Sequence, residues 1–370
     1  MKPPFVATAF PGEERFPPPV PAQPGEPVAW HRLDPPTIAA IAGHVQRAAE
    51  SLRRLPFSAR CERLGAVSSA CREDRAWLDA TSERIEAIER WDAEMVRGAL
   101  RHLLRGLTAP MLRELAWREL SDPEPACPAL VAILASGNLP VAVLPHVVYA
   151  LALGSGVVVR VSRGDPVTLR CWREVLARHA PEFADALALL RWEREDWGAL
   201  IAATAGADVV VGFGSDTALA TIARHLPPEK PFVRYGARIS VAVVGRTVAE
   251  RSDLRRVAHL IARDLVLFDQ RGCHSPRAIY VEGEAAHVAE ALARALPAWR
   301  ARWPRRPRSA EIALAGHHWL ARAEMLALTR SGARLWGSDS GAEWSVLLDP
   351  NPELASLPPP GHIVVKPVSS

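Results

Sequence analysis

The stretch Ala129-Leu-Val-Ala-Ile-Leu-Ala135, followed by Ser136-Gly-Asn-Leu-Pro140 and the apolar run Val141 to Leu153, decides the fold class. An unbroken apolar run this short, closed by a turn, is the pattern of a strand buried on both faces, as in the middle of a parallel sheet. Glycine and proline end it. The helical run behind them supplies the crossover that a parallel neighbour requires. The neighbour follows as Val157-Val-Val-Arg-Val161, with a helix from about Pro166 to Arg178. A third strand is Asp208-Val-Val-Val-Gly212, a helix opens near Asp216, and Ser240-Val-Ala-Val-Val-Gly245 reads as another strand. Strands alternating with helices predict an α/β chain with a doubly wound parallel sheet. Right-handed crossovers then place any ligand at the carboxyl ends of the strands.

Before this segment, residues 1–30 are proline-rich and aperiodic, which predicts an extended or disordered lead-in. Residues 31–127 read as helical. Asp34-Pro35-Pro36-Thr37 is a helix start, and Ile85, Ile88, Trp91, Met95 and Leu100 recur on one helical face. After it, the pattern restarts near Arg246. A helix from Asp253 to Leu267 leads into Phe268-Asp-Gln-Arg-Gly-Cys-His-Ser-Pro276. Then come a strand, Arg277-Ala-Ile-Tyr-Val281, and a helix to about Trp299. Strand candidates Trp344–Leu348 and His362–Lys366 finish the chain. The expected division is therefore 128–245 and 246–370, with a short second domain.

The 370 residues, 49% of them hydrophobic, suffice for two packed domains. No apolar run is long enough to span a membrane, and the start Met-Lys-Pro-Pro offers no apolar stretch of the signal-peptide kind. Five cysteines, Cys61, Cys71, Cys127, Cys171 and Cys273, are odd in number and widely spaced. They suggest neither a disulfide framework nor a Cys-x-x-Cys metal site, so a reduced, cytoplasmic setting is expected. The net charge of +4 implies no nucleic-acid partner. The run Arg300, Arg302, Arg305, Arg306 and Arg308 reads as a solvated, arginine-rich surface loop.

Three places carry chemistry. Cys273 lies in a loop flanked by glycine and proline, where a thiolate assisted by Arg271 could act as nucleophile. A lone cysteine is also a common small core residue. Asn138 sits in the turn after the first strand, where its amide could donate to a developing oxyanion or simply serve the turn. Gly212-Phe-Gly-Ser-Asp216 joins a strand to a helix, where backbone N–H groups and the helix dipole favour a phosphate.

Taken in order, the Gly-Asn-x-Pro turn, Val-Val-Arg-Val-Ser, Phe-Gly-Ser, Tyr-Gly-Ala-Arg-Ile-Ser and Gln-Arg-Gly-Cys-His-Ser-Pro resemble the aldehyde-dehydrogenase superfamily. Within it, residues 128–368 are most similar to the acyl-CoA reductases of the LuxC type. The resemblance implies a dinucleotide-binding domain at 128–245 and a catalytic α/β domain at 246–370, behind an N-terminal helical arm. It implies that Cys273 is the nucleophile and that Asn138, with the cysteine's own backbone N–H, forms the oxyanion hole. Gly214 and Ser215 match the turn that approaches the cofactor pyrophosphate. Arg160, in the Val-Val-Arg-Val-Ser162 stretch, stands where the superfamily has a lysine contacting the adenosine ribose.

Two departures shape the expected activity. Where NAD-preferring relatives have a glutamate, this chain has Arg163, a cation that attracts a 2′-phosphate, so NADPH is the expected cofactor. Where oxidative relatives have a water-activating glutamate, this chain has Arg234. Arginine is no base at neutral pH, so the expected reaction is reduction of an acyl thioester, on CoA or an acyl-carrier protein, to an aldehyde. An NAD(P)-dependent aldehyde dehydrogenase and a catalytically impaired partner subunit are the alternatives. His274 is expected to be a bystander. Family members continue past a segment like Ile363–Val368, whereas this chain ends at Ser370, as a compact variant or a shortened product would. A homo-oligomer and an acyl-transfer partner both stay open.

Overall fold

A computed structural model describes residues 4–21, 26–120, 127–250, 254–307, 309–338 and 343–368. The chain forms two compact units, Met1–Ala237 and Arg238–Ser370.

In the first unit, strands β1 (Phe5–Val6), β2 (Val20–Pro21) and β3 (Val28–Trp30) make a small sheet in the order β1-β3-β2. The main sheet consists of β4 (Leu130–Leu134), β5 (Gly156–Arg160), β6 (Leu187–Leu190), β7 (Val209–Phe213) and β8 (Phe232–Tyr235). Its order is β6-β5-β4-β7-β8 and every neighbour is parallel. The order reverses beside β4, the position where doubly wound sheets open a crevice at their carboxyl ends. All five residues of β4 are buried, as the seven-residue apolar run requires. Full burial of each Val, Leu or Ile contributes roughly 1.5–3 kcal/mol.

Three expectations are corrected in this unit. The lead-in is extended but not disordered where described. Ala7 and Ala9 are fully buried, and Ala9 exchanges backbone hydrogen bonds with Leu189, covering the free edge of β6. The helices of 31–127 form no separate arm. Pro35–Arg53, capped where Asp34 accepts from the Thr37 N–H at 2.9 Å, packs Ile38, Ile41 and Val45 against Leu130, Ala132 and Val158. Phe57–Glu73 packs Cys61, Leu64 and Val67 into the core that holds Ile133 and Val157. The strand β9 (Ser240–Val244), assigned from sequence to the first domain, belongs to the second unit, where it pairs with the strand that follows Cys273.

That second unit is a mixed sheet of β9, β10 (Pro276–Glu282), β11 (Arg334–Gly337), β12 (Ser345–Leu348) and β13 (His362–Val368), ordered β11-β12-β13-β10-β9. Within this sheet, among the described strands, only the edge pairing of β11 with β12 is antiparallel. Helices Ala285–Arg302 and Ala310–Thr329 cover it, with Trp319 and Ala323 against Ala278, Leu347 and Val364. Asp349 and Lys366, both buried, pair at 2.7 Å behind β12 and β13. Burial pushes the Asp349 carboxyl up, but hydrogen bonds from Lys366 and Arg330 outweigh it and hold the group below its ordinary range.

Candidate functional site

Parallel register aligns the strand ends. Arg160 pairs with Leu134, Leu134 with Gly212, and Gly212 with Arg234, so these residues form one row across the first sheet. Arg160 ends the row on β5, and the loops beyond it carry five more of the residues singled out from sequence: Asn138, Ser162, Arg163, Gly214 and Ser215. Cys273 belongs to the second unit.

The turn after β4 and the loop after β5 touch backbone to backbone. A Cβ on Gly137 would lie 2.7 Å from the Gly164 Cα, and a Cβ on Gly164 would lie 2.8 Å from the Gly137 carbonyl carbon. Both positions therefore exclude side chains, and the contact brings Asn138 to the loop that carries Ser162 and Arg163. Asn138 is exposed, and its Oδ1 accepts from Ser136 Oγ at 2.7 Å. That bond leaves the amide NH2 as the group presented outward. Ser162 Oγ accepts from the Gly164 N–H at 3.1 Å and closes the second loop. Beneath lies Asp165, which burial raises to about 6 against hydrogen bonds from Thr168 and the Val141 backbone. Val141 itself holds a left-handed φ of 65°, rare for a β-branched residue.

Four arginines surround one acid beside β5 and β6. Arg160 donates to the Trp192 carbonyl at 3.1 Å and lies over the Trp192 ring. Burial, together with the neighbouring charges of Arg191 and Arg194, lowers it to about 10, so it keeps its charge at neutral pH. Arg163 is exposed and pairs with Glu193 at 3.1 Å, while Arg191 approaches the other carboxylate oxygen of Glu193 at 3.8 Å. The acid was not foreseen from the sequence. An exposed pair of this kind is worth only about 0–1 kcal/mol, so a phosphate dianion can compete for the guanidinium.

At the β7 turn the Gly214 N–H donates to the Tyr235 carbonyl at 3.3 Å, and Ser215 Oγ caps the helix Asp216–Ala223 through the Ala218 N–H at 3.2 Å. Asp216 accepts from the Ala237 N–H at 3.1 Å, which places a carboxylate in the first helical turn. The N–H groups expected to meet a pyrophosphate are thus partly used within the protein. Phe213 and Tyr235 stack at 4.7 Å, with His146 edge-on to both at 4.8 and 4.9 Å. Burial lowers the pKa of His146. Sequence reading missed this aromatic wall. The available signal was that Phe213 and Tyr235 end adjacent strands in the same register.

In the second unit Cys273 is exposed, whereas Cys61, Cys71 and Cys171 are buried. Burial pushes Cys61 to about 11 and Cys71 to about 12, and raises Cys171 as well. Those thiols are inert at neutral pH. The Cys273 carbonyl accepts from Ser240 Oγ at 2.6 Å, tying its loop to β9. His274 and Arg271 are exposed beside it. Upstream, Phe268, Asp269 and Gln270 all have left-handed backbones, with φ of 49°, 53° and 59°. Such residues normally occur singly, at a cost of roughly 1–2 kcal/mol each, so three in succession need strong support.

The arginine run supplies part of it, which corrects its reading as a solvated loop. Arg300 is buried and donates to Asp269 at 3.1 Å. Arg305, its side chain 7% exposed, donates to the Glu343 and Pro360 carbonyls at 3.0 and 2.6 Å. Arg308 lies outside the described residues. Among the described residues no group of three or more His, Cys, Asp or Glu could hold a metal ion, and no helix is long and apolar enough to cross a membrane.

Residues 33–370 match the family model described as acyl-CoA reductase (LuxC). The chain belongs to the LuxC family. Long-chain acyl-protein thioester reductase 2 of Photobacterium leiognathi is 24% identical over 160 residues, 42% of this chain and 32% of that protein. The long-chain acyl-protein thioester reductase of Aliivibrio fischeri is 22% identical over 156 residues, 41% of this chain and 31% of that protein. The matched segments thus span about a third of the length of these curated relatives, at 32% and 31%. Among solved structures, an NAD-dependent benzaldehyde dehydrogenase from Corynebacterium glutamicum superposes with a TM-score of 0.65 at 15% identity, over 92% of this chain and 78% of that one. Glyceraldehyde-3-phosphate dehydrogenase GapN from Methanocaldococcus jannaschii, complexed with NADP, gives 0.64 at 14% identity over the same shares, 92% and 78%. This LuxC-family chain therefore has the aldehyde-dehydrogenase fold that its motifs predict.

Proposed function

We propose that this chain reduces an acyl thioester to an aldehyde with NADPH, through an acyl-Cys273 intermediate. The observation that carries the reading is the exposed Cys273 thiol in the Asp-Gln-x-x-Cys loop of a LuxC-family chain, in contrast to the buried, inert thiols of Cys61, Cys71 and Cys171. Cys273 as thiolate attacks the thioester carbonyl, forming a C–S bond. Asn138 donates its NH2 to the oxyanion, a contribution of the order of 10²–10³ in rate. Collapse expels the carrier as a thiolate, which takes up a proton. When bound, the dinucleotide supplies the hydride for the acyl carbon. The resulting thiohemiacetal releases aldehyde and regenerates the Cys273 thiolate. Arg234, in the strand position of a water-activating acid, cannot deprotonate water, so the acyl group is protected from hydrolysis.

Fit to the cofactor rests on charge. Arg160, Arg163, Arg191 and Arg194 surround the single carboxylate of Glu193, a net excess of cations suited to a 2′-phosphate. Glu193 favours the other reading, NADH, because an acid at this place can accept ribose hydroxyls. Steady-state kinetics with acyl-CoAs of several lengths and both nicotinamides separate the two. The expected result is aldehyde formation with NADPH preferred, a KM for NADPH raised about tenfold in Arg163→Ala, and an unchanged KM for NADH. A preference for NADH that Glu193→Gln reverses would sink the cofactor assignment. Carboxylate from aldehyde without CoA would favour a dehydrogenase, and absence of nucleotide binding an impaired subunit.

A further inference from the structure

The loop that presents Cys273 is held by a structure larger than the loop itself. Gln270, 1% exposed, uses its whole amide: Nε2 donates to the Pro276 carbonyl at 2.7 Å and to the His362 carbonyl at 3.3 Å, while Oε1 accepts from the Gly361 N–H at 2.6 Å. Asp269 faces the other way. One carboxylate oxygen accepts from Arg300 at 3.1 Å with Arg305 Nε at 3.7 Å, and the second accepts from the Arg306 backbone N–H at 3.2 Å. Arg305 in turn is bonded to the Glu343 and Pro360 carbonyls. The two side chains therefore join the turn to β10, to the loop before β13 and to the end of the helix Ala285–Arg302. Three consecutive left-handed residues without a glycine persist only where surrounding bonds fix them.

We propose that Asp269 and Gln270 are positioning residues, a clamp that holds the left-handed turn and so aims the Cys273 thiol. The clamp acts through the backbone of residues 271–273. This inference rests on Cys273 being the acylated group, and its test separates the two. Asp269→Asn keeps the shape and removes the charge, Arg305→Lys keeps the charge and removes the paired carbonyl bonds, and Gln270→Glu keeps the length and removes the donor.

In the full chain, amide hydrogen exchange over residues 271–275 is measured beside the melting temperature, and single-turnover acylation by an acyl-CoA is followed by mass spectrometry. In all three variants exchange in this segment is expected to rise at least tenfold. Acylation should slow at least tenfold, while nucleotide binding and alkylation of Cys273 by iodoacetamide change less than threefold. Unaltered exchange in a folded variant, or acylation at the wild-type rate, overturns the clamp. If the wild type never acylates, the catalytic reading fails, and the exchange result still decides whether the clamp exists. A variant that fails to fold leaves the decision to the other two.

Discussion

Asp165 and Cys273 illustrate how much a single side chain's surroundings decide. Burial raises Asp165 to about 6, so its charged form is disfavoured in the fold. A carboxyl raised in this way favours the folded state while it is protonated, below its unfolded value near 4. That advantage is lost as pH rises to about 6. Two units correspond to roughly 3 kcal/mol. The unfolding free energy of Asp165→Asn relative to wild type should therefore grow by about that amount between pH 4 and pH 7 in denaturant titrations. A difference independent of pH would contradict the burial argument. At the same scale, brief iodoacetamide treatment of the native protein should label Cys273 well ahead of Cys61, Cys71 and Cys171, as peptide mapping would show. The sequence motif exposed Cys273 to view but not the roles of Asp269 and Gln270. Their partners Arg300, Arg306 and His362 lie 31, 37 and 92 positions away, beyond any local pattern.

Among the elements, β4, β5 and β7 are legible because their valines, isoleucine and leucines form short unbroken runs. β6 is not. Leu187-Ala-Leu-Leu190 uses residues with high helix propensity, and only its position between β5 and the lead-in makes it a strand. The helix Ala310–Thr329 is faint for another reason: it buries only Gly316, Trp319 and Ala323 among its described residues, and two of these are too small to mark a face. The turn after β4 was legible as a turn, while its contact with the β5 loop was not. That contact yields a prediction. Gly137→Ala and Gly164→Ala should each cost roughly 1–3 kcal/mol in denaturant unfolding, because each methyl meets the opposing backbone. Since one displacement relieves both clashes, the double variant should cost less than the sum. Strict additivity would show that the loops do not share the contact. The pair Lys366–Asp349 gives a second test at this scale. Lys366→Met removes one of the two cations on Asp349 and leaves Arg330, so it should cost about 1.5–3 kcal/mol in denaturant unfolding.

For the whole molecule, the alternation of strand and helix predicted two α/β units, and the structure has two. Their division falls at Ala237 and Arg238, eight residues before the boundary at 245 read from sequence. Ser240–Val244 has the composition of a strand in either sheet, so only its pairing with β10 assigns it. The lead-in similarly reads as proline-rich and aperiodic, and only the free edge of β6 gives it a place. At this scale the proposed function depends on one covalent bond to Cys273. The direct measurement is intact-protein mass spectrometry after mixing the chain with an acyl-CoA and no nicotinamide, followed by addition of NADPH. The account predicts a mass gain of one acyl group, mapped to Cys273 and absent from Cys273→Ala, that persists until NADPH discharges it as aldehyde. No adduct, an adduct elsewhere, or spontaneous discharge as carboxylate would contradict it.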